Sequence, residues 1–284
     1  MEYIVLSRQD CIARTGAPYV NLKVANLQEN IQLCVWDVAK TDAPAVGQLV
    51  NFMTIRDDQG KKSARKMDMV PGTIPTEAHP LYPLIPRPIK REVWDETIEK
   101  LLSYCKDELL MEFIKKHADE LFPKYSKYPA ATSVHHAFPG GLLNHTHQML
   151  HLLEGLYPCY PYPEDIKIER LIIGILFHDW GKLCEYKEDG DPTENMYLLG
   201  HIYMSANYLN GLLREAGVDK KEMNYIIHCI LAHHGEMEYG SPVVPCTPEA
   251  QLITYIDNIS AKADVFNTTG NMEKAFALGT HVVK

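Results

Sequence analysis

Ten of the thirteen histidines of this 284-residue chain fall between His135 and His234. Imidazole at that density is suited to metal ligation and to proton transfer near neutral pH. The dipeptide His178-Asp179 follows the apolar run Leu171 to Phe177 and precedes Trp-Gly-Lys. An unpaired carboxylate at the end of such a buried helix costs on the order of several kcal/mol, and a bound cation removes that cost. His145 sits in the stretch opened by Pro139-Gly140-Gly141, His201 follows Leu-Leu-Gly, His233-His234 close an apolar run, and Asp257 lies within Leu-Ile-Thr-Tyr-Ile-Asp-Asn. Each comes from a different helical stretch. Convergence from separate helices is how helical metalloproteins build a central site. Five imidazoles and two carboxylates suit Mn²⁺ first, with Fe²⁺, Co²⁺ or Zn²⁺ as alternatives.

The other histidines read differently. His135 and His136 stand in a loop bounded by Pro and Gly, and His136 is a candidate contact to a substrate phosphate or leaving group. His147 and His151 form an i, i+4 pair that faces away from His145. They are expected to be solvated or to stand behind the ligands, and His228 to be a satisfied core histidine.

The elements that must position these groups change character along the chain. Up to about residue 72, β-rich or alternating runs (Tyr3–Ala13, Tyr19–Leu27, Ile31–Val38, Gln48–Arg56 and Lys62–Val70) are separated by turn-forming clusters. Leu22 and Val24, then Ile31, Leu33 and Val35, then Val50 and Phe52 are placed to share faces. The pattern predicts a small β-barrel over 1–72. Pro71, Pro75, Pro80, Pro83, Pro86 and Pro88 predict an extended linker over 73–91. From Val93 the apolar period is helical, first through Ile114 and then over about 140–156, 164–178, 198–216, 220–234 and 248–266, which predicts an all-α domain over 92–284. The fold class is therefore a multidomain chain, a barrel followed by a helical domain.

Composition narrows the functions. With 28 basic and 37 acidic residues the net charge is −9, so any polyanion must meet a local patch. Residues 1–88 carry a net +1 and residues 89–284 a net −10. In the barrel, Arg56, Lys61, Lys62, Arg65 and Lys66 flank a hairpin turn and could track a nucleic-acid backbone, with Tyr19, Trp36 and Phe52 as stacking faces. Asp57 and Asp58 in the same strip weaken its field. The seven cysteines lie far apart with no Cys-x-x-Cys pair, which argues against a disulfide framework or a zinc ribbon. No apolar run approaches the roughly 20 residues of a membrane span. The amino terminus lacks a basic leader, and a cytoplasmic protein is expected.

Segment 14–70, with its Leu-Cys-Val-Trp-Asp strand (33–37), resembles the OB-fold of nucleic-acid-binding proteins. His145, His178-Asp179 and Asp257 resemble the signature of HD-domain phosphohydrolases, and His201, His233 and His234 make the set similar to the subgroup that holds two metals. Five ordered blocks resemble the 3′-to-5′ exoribonucleases of the YhaM type: 135–146 (His-His-Ala-Phe-Pro-Gly-Gly-Leu-Leu-Asn-His-Thr), 178–182 (His-Asp-Trp-Gly-Lys), 198–202, 233–236 and 255–258. The resemblance implies two divalent ions, one on His145, His178, Asp179 and Asp257, the other on His201, His233 and His234, with Asp179 bridging. Such a pair activates a shared water and clamps phosphodiester oxygens. Asp179, Lys182 and His136 would be the catalytic groups, with Lys182 neutralising charge on the phosphate. The expected activity is release of nucleoside monophosphates from the 3′ end of single-stranded RNA, with DNA as a second polymer. The alternatives are hydrolysis of a nucleotide or cyclic-dinucleotide signal, and non-catalytic nucleic-acid binding by a regulator. The reading leaves a homo-oligomer open and calls for no membrane.

Overall fold

A computed structural model describes residues 1–283 apart from Ser133, Asp189 and Glu273, and for Phe276 the backbone alone. Packing groups Met1–Arg87, Ala131–Pro139 and Lys262–Lys284 in one unit, and Pro88–Ala130 and Gly140–Ala261 in another.

The first unit is built on a curled sheet of seven strands: β1 (Glu2–Ile12), β2 (Pro18–Ala25), β3 (Asn30–Trp36), β4 (Leu49–Phe52), β5 (Arg56–Asp58), β6 (Lys61–Arg65) and β7 (Met69–Pro71). Their order is β5-β6-β3-β2-β1-β4-β7, antiparallel except for the parallel pair β3–β6. Two of the five expected strands are each broken in two. The reason lies in the topology: β6 must pair with β3 and β7 with β4, on opposite sides of the sheet order. No straight strand reaches both, so a 3-10 turn at Lys66–Asp68 redirects the chain. Tyr3, Val5, Leu22, Val24, Ile31, Leu33, Val35, Val50 and Phe52 form the core. Phe52 is 3% exposed and meets the Tyr3 ring edge-on, so it offers no stacking face. That expectation is corrected by its inward position on β4.

The proline-rich stretch is more than a spacer. Ile4, Ala25 and Leu49 lie on the sheet face opposite that core, and Leu81, Leu84 and Ile85 cover them. Proline removes ladder hydrogen bonds but leaves the apolar side chains between prolines able to pack. Later parts of the chain also return to this unit. Lys23 Nζ donates to the Val134 carbonyl at 3.1 Å, and Asn30 Nδ2 donates to the Asn267 carbonyl at 3.1 Å. The chain beyond the last helix, expected to be helical, forms a short hairpin of β8 (Lys274–Ala275) and β9 (Thr280–His281).

The second unit contains α1 (Arg91–Leu102), α2 (Glu108–Tyr125), α3 (Gly141–Leu156), α4 (Ile168–Phe177), α5 (Lys182–Glu185), α6 (Glu194–Leu198), α7 (His201–Glu215), α8 (Lys220–Ala232) and most of α9 (Pro248–Thr268). The single stretch read from Val93 to Ile114 breaks where the Asp107 side chain caps α2, accepting from the Leu110 N–H. Among these helices α4 is the axis: it packs against α2, α3, α7 and α8. Every residue from Leu171 to Phe177 is buried, which explains an apolar run with no polar face. Tyr125 donates its hydroxyl to the Leu176 carbonyl at 2.7 Å, satisfying one of the orphan acceptors at the end of α4.

A partly buried ion network joins α2, α4, α8 and α9. Arg170 contacts Glu222 at 2.8 Å and Glu249 at 3.1 Å, while Lys167 contacts Asp107 at 2.9 Å. Burial alone would raise the Glu222 carboxyl, but Arg170 and Lys167 outweigh it and hold the group below its ordinary value. A carboxyl depressed in the folded state contributes stability above its unfolded value and loses that contribution as pH falls through the folded one. Thermal melting followed from neutral pH down to about pH 3 is expected to show a falling midpoint, with a smaller fall in Glu222→Gln; equal slopes in both proteins would remove Glu222 from the account.

Candidate metal centre

Five helices deliver the side chains. His145 lies on α3. His178 caps the end of α4, its backbone N–H still bonded to the Gly174 carbonyl at 2.8 Å, and Asp179 follows in the turn to α5. His201 is the first residue of α7. His233 and His234 follow α8, and Asp257 lies on α9. The break before α7 falls at Gly200, whose φ of 73° suits glycine. Gly181 is required for a different reason. A Cβ there would lie 2.3 Å from the His201 carbonyl oxygen, so only glycine lets the α4–α5 turn approach the start of α7.

Asp179 stands between two groups of imidazoles. Its Oδ2 is 3.2 Å from His178 Nε2 and 3.8 Å from His145 Nε2. Its Oδ1 is 3.5 Å from His201 Nε2 and 3.9 Å from His233 Nε2. Asp257 Oδ1 closes the first group at 3.1 Å from His145 Nε2. Donor atoms of His145, His178 and Asp257 lie within 4.8 Å of one another, and so do those of His201, His233 and His234. The structure thus brings together all seven residues expected from sequence.

The outer nitrogens show how the rings are oriented. His178 Nδ1 faces the Ile175 carbonyl at 2.8 Å, His233 Nδ1 the Ile230 carbonyl at 2.7 Å, and His234 Nδ1 the Tyr239 carbonyl at 2.8 Å. Carbonyls only accept, so these three Nδ1 atoms carry the proton. His145 Nδ1 donates to Ser260 Oγ at 2.9 Å, which itself donates to Gln148 Oε1 at 2.9 Å. His201 Nδ1 donates to Glu185 Oε1 at 3.2 Å. In the neutral ring every Nε2 lone pair is then left for the interior, the outer-nitrogen pattern typical of metal-bound histidine. His145 Nε2 and His178 Nε2 approach to 3.3 Å, an arrangement of two acceptors that a cation reconciles. Asp179 Oδ1, His201 Nε2 and His233 Nε2 are buried and make no hydrogen bond among the described residues. Orphaned acceptors of this kind fit divalent cations.

Electrostatics agree. Burial would raise the Asp179 carboxyl, yet Lys182 and His178 hold it well below the ordinary range, and Asp257 is held low by His145 in the same way. Burial pushes His233 and His234 down, and neighbouring imidazoles add to this, so both are neutral and able to ligate. Lys182 is buried with its Nζ 2.8 Å from Asp179 Oδ2. Burial lowers its pKa, but Asp179 raises it by more, and the amine stays charged.

Other expected site residues fall elsewhere. His136 belongs to the first unit, where it is buried at φ 46° with its backbone N–H donating to Asp264 Oδ2 at 2.7 Å. His147 is buried beside Thr97, with its Nε2 3.1 Å from Oγ1, while His151 is exposed and next to Glu154. His228 is half-buried and accepts from the Cys246 N–H at 3.0 Å. On the sheet, Trp36 is 41% exposed and Arg56, Lys61 and Arg65 are exposed. Lys62 lies 3.7 Å from Asp57 and Lys66 pairs with Asp42.

Sequence reasoning missed the supporting residues. Glu185 Oε1 accepts the His201 backbone N–H at 2.6 Å as well as its ring N–H. Ser260 and Gln148 were legible in principle, since each lies three residues beyond a ligand on the same helical face. Gly181→Ala is expected to force the start of α7 outward, destabilising the fold by about 1–3 kcal/mol and weakening metal binding. Isothermal titration with Mn²⁺ and thermal melting check this, and wild-type values for both would remove the steric argument.

Residues 142–262 match the HD domain family, a span that holds all seven residues of the cluster, so the helical region carries an HD domain. Over nearly its whole length the chain is also similar to proteins named 3′-5′ exoribonuclease YhaM. Identity is 26% with that of Bacillus pumilus (strain SAFR-032), covering 94% of this chain and 86% of the relative. It is 29% with that of Bacillus velezensis, covering 92% and 83%, and 28% with that of Bacillus subtilis (strain 168), covering 93% and 85%. No solved structure matches the chain. Among the described residues no helix is long and apolar enough to cross a membrane. The HD domain and these relatives support a hydrolase of the nuclease or phosphohydrolase kind.

Proposed function

We propose that this protein is a metal-dependent phosphodiesterase that shortens single-stranded RNA from its 3′ end to nucleoside monophosphates, with single-stranded DNA as a second polymer. The observation that carries the metal reading is the Asp179 carboxylate, which turns one oxygen to each imidazole group. His145, His178, Asp179 and Asp257 would hold one ion and His201, His233 and His234 the other, with Mn²⁺ as the first choice for this donor set. Bound divalent cations supply Lewis acidity and charge for phosphoryl oxygens and lower the pKa of water. The chain's own part is to orient. Ile175, Ile230 and Tyr239 lock the rings by their carbonyls, Glu185 and Ser260 lock the remaining two, and buried Lys182 places a fixed positive charge beside the site for the phosphate. His136 is proposed to contact the phosphate or the leaving group. The sheet unit would hold the strand through Trp36, Arg56, Lys61, Lys62, Arg65 and Lys66, and the three relatives' printed activity supports RNA as the polymer.

The test is Mn²⁺-loaded full chain offered single-stranded RNA, single-stranded DNA, cyclic dinucleotides and mononucleotides. Single-nucleotide laddering of 5′-labelled RNA is the expected result. Turnover confined to the small nucleotides would replace the exonuclease reading with that of a signal phosphohydrolase.

A further inference from the structure

The outer face of the sheet carries a feature that the metal centre does not use. The β3–β6 register sets Trp36 beside Arg65, and the β5–β6 register sets Arg56 beside Ser63. With Asp37 and Ala64 these residues line a cavity of about 360 Å³, within the range of small-ligand sites. Tyr19 packs on Trp36 with ring centroids 4.8 Å apart and a tilt of 33°. Tyr19 lies on β2, on the side of β3 away from β6, so it backs the indole and leaves the side toward the arginines for another ring.

The charged groups divide in a telling way. Lys62 and Lys66 spend their charge on Asp57 and Asp42. Neither Arg56 nor Arg65 has a carboxylate partner among the described residues. Two guanidinium groups and one aromatic face around a nucleotide-sized hollow are the parts needed to hold a phosphate and stack its base. Asp37, which follows β3 in a left-handed backbone conformation of φ 64°, adds a carboxylate. A carboxylate there would repel a phosphate and accept from base N–H groups, which would fix the orientation of a bound nucleotide.

We propose that this cavity is a one-nucleotide subsite for single-stranded nucleic acid, in which Trp36 stacks the base, Arg56 and Arg65 hold the phosphate and Asp37 accepts from the base edge, favouring guanine with its two adjacent N–H donors. The proposal rests on the strand-holding role given above to the sheet unit and assigns it to three of the six residues named there, together with Asp37. Lys61, Lys62 and Lys66 would meet the strand outside this hollow, Lys62 beside Asp57 and Lys66 beside Asp42.

Binding is measured on metal-free full chain by fluorescence anisotropy, with labelled single-stranded RNA of uridines carrying one guanosine or none, at several salt concentrations. Trp36→Ala and the double variant Arg56→Ala/Arg65→Ala are each expected to weaken binding about tenfold or more, with Trp36→Phe recovering most of the loss. The double variant should also flatten the salt dependence by about 0.7 in log–log slope, as the loss of one neutralised phosphate on a single strand requires. Asp37→Asn should erase the preference for the guanosine-containing strand. If Trp36→Ala does not fold, the arginine pair at exposed positions decides. Wild-type protein that shortens RNA while the folded double variant binds as tightly as wild type overturns the subsite and leaves the exonuclease reading standing. Wild-type protein that neither binds the strand nor shortens it when loaded with Mn²⁺ overturns both.

Discussion

Asp179→Asn is expected to lower hydrolysis by on the order of a thousandfold or more, and to reduce bound metal from two ions to at most one. The substitution keeps the shape of the side chain but removes the charge that both imidazole groups face at 3.2–3.9 Å. It also leaves the buried Lys182 ammonium without its carboxylate at 2.8 Å, which on its own costs stability. Asp179→Asn/Lys182→Met separates the two effects, because it removes the orphaned cation and replaces it with apolar volume. The double variant should recover thermal stability and stay inactive, as should His178→Ala. Metal content by mass spectrometry and hydrolysis of labelled RNA read the outcome. Activity within tenfold of wild type in a folded Asp179 variant would falsify the metal assignment.

Glu185→Ala should act on one half of the centre. Glu185 touches His201 twice, at the backbone N–H (2.6 Å) and at Nδ1 (3.2 Å), and so sets both the start of α7 and the ring tautomer. Its loss is expected to weaken the ion assigned to His201, His233 and His234 by about 10–100-fold while leaving the other nearly intact. Calorimetry with Mn²⁺ should then show one binding phase weakened relative to wild type and the other unchanged. Glu185→Gln keeps one acceptor oxygen and should recover part of the affinity. A purely structural role predicts instead that both phases weaken together and that the glutamine variant gives no recovery.

Much of the centre was legible from residue type. A histidine followed by an aspartate after seven buried apolar residues, with further imidazoles on separate helical stretches, restricts the chemistry because isolated buried carboxylates are costly. Alternation in the first 70 residues was equally readable: Leu22, Val24, Ile31, Leu33, Val35 and Val50 all turn inward as their spacing requires. Phe52 shows the limit, since an aromatic residue in a strand is compatible with either face until pairing is known. The breaks at 53–55 and 66–68 depend on which strands are neighbours, and nothing local to those residues specifies that.

The sequence by itself determined the donor types, the helical periods that carry them and the two-part character of the chain, because these follow from side-chain chemistry and from spacings of two and about 3.6 residues. Only the tertiary structure decided that Asp179 offers one oxygen to each imidazole group, that Glu185 holds His201 from sixteen residues away, that Gly181 opens the space for His201, and that Trp36 and two arginines line one hollow. These depend on distances between elements, set by how whole helices and strands pack, and no local pattern encodes them.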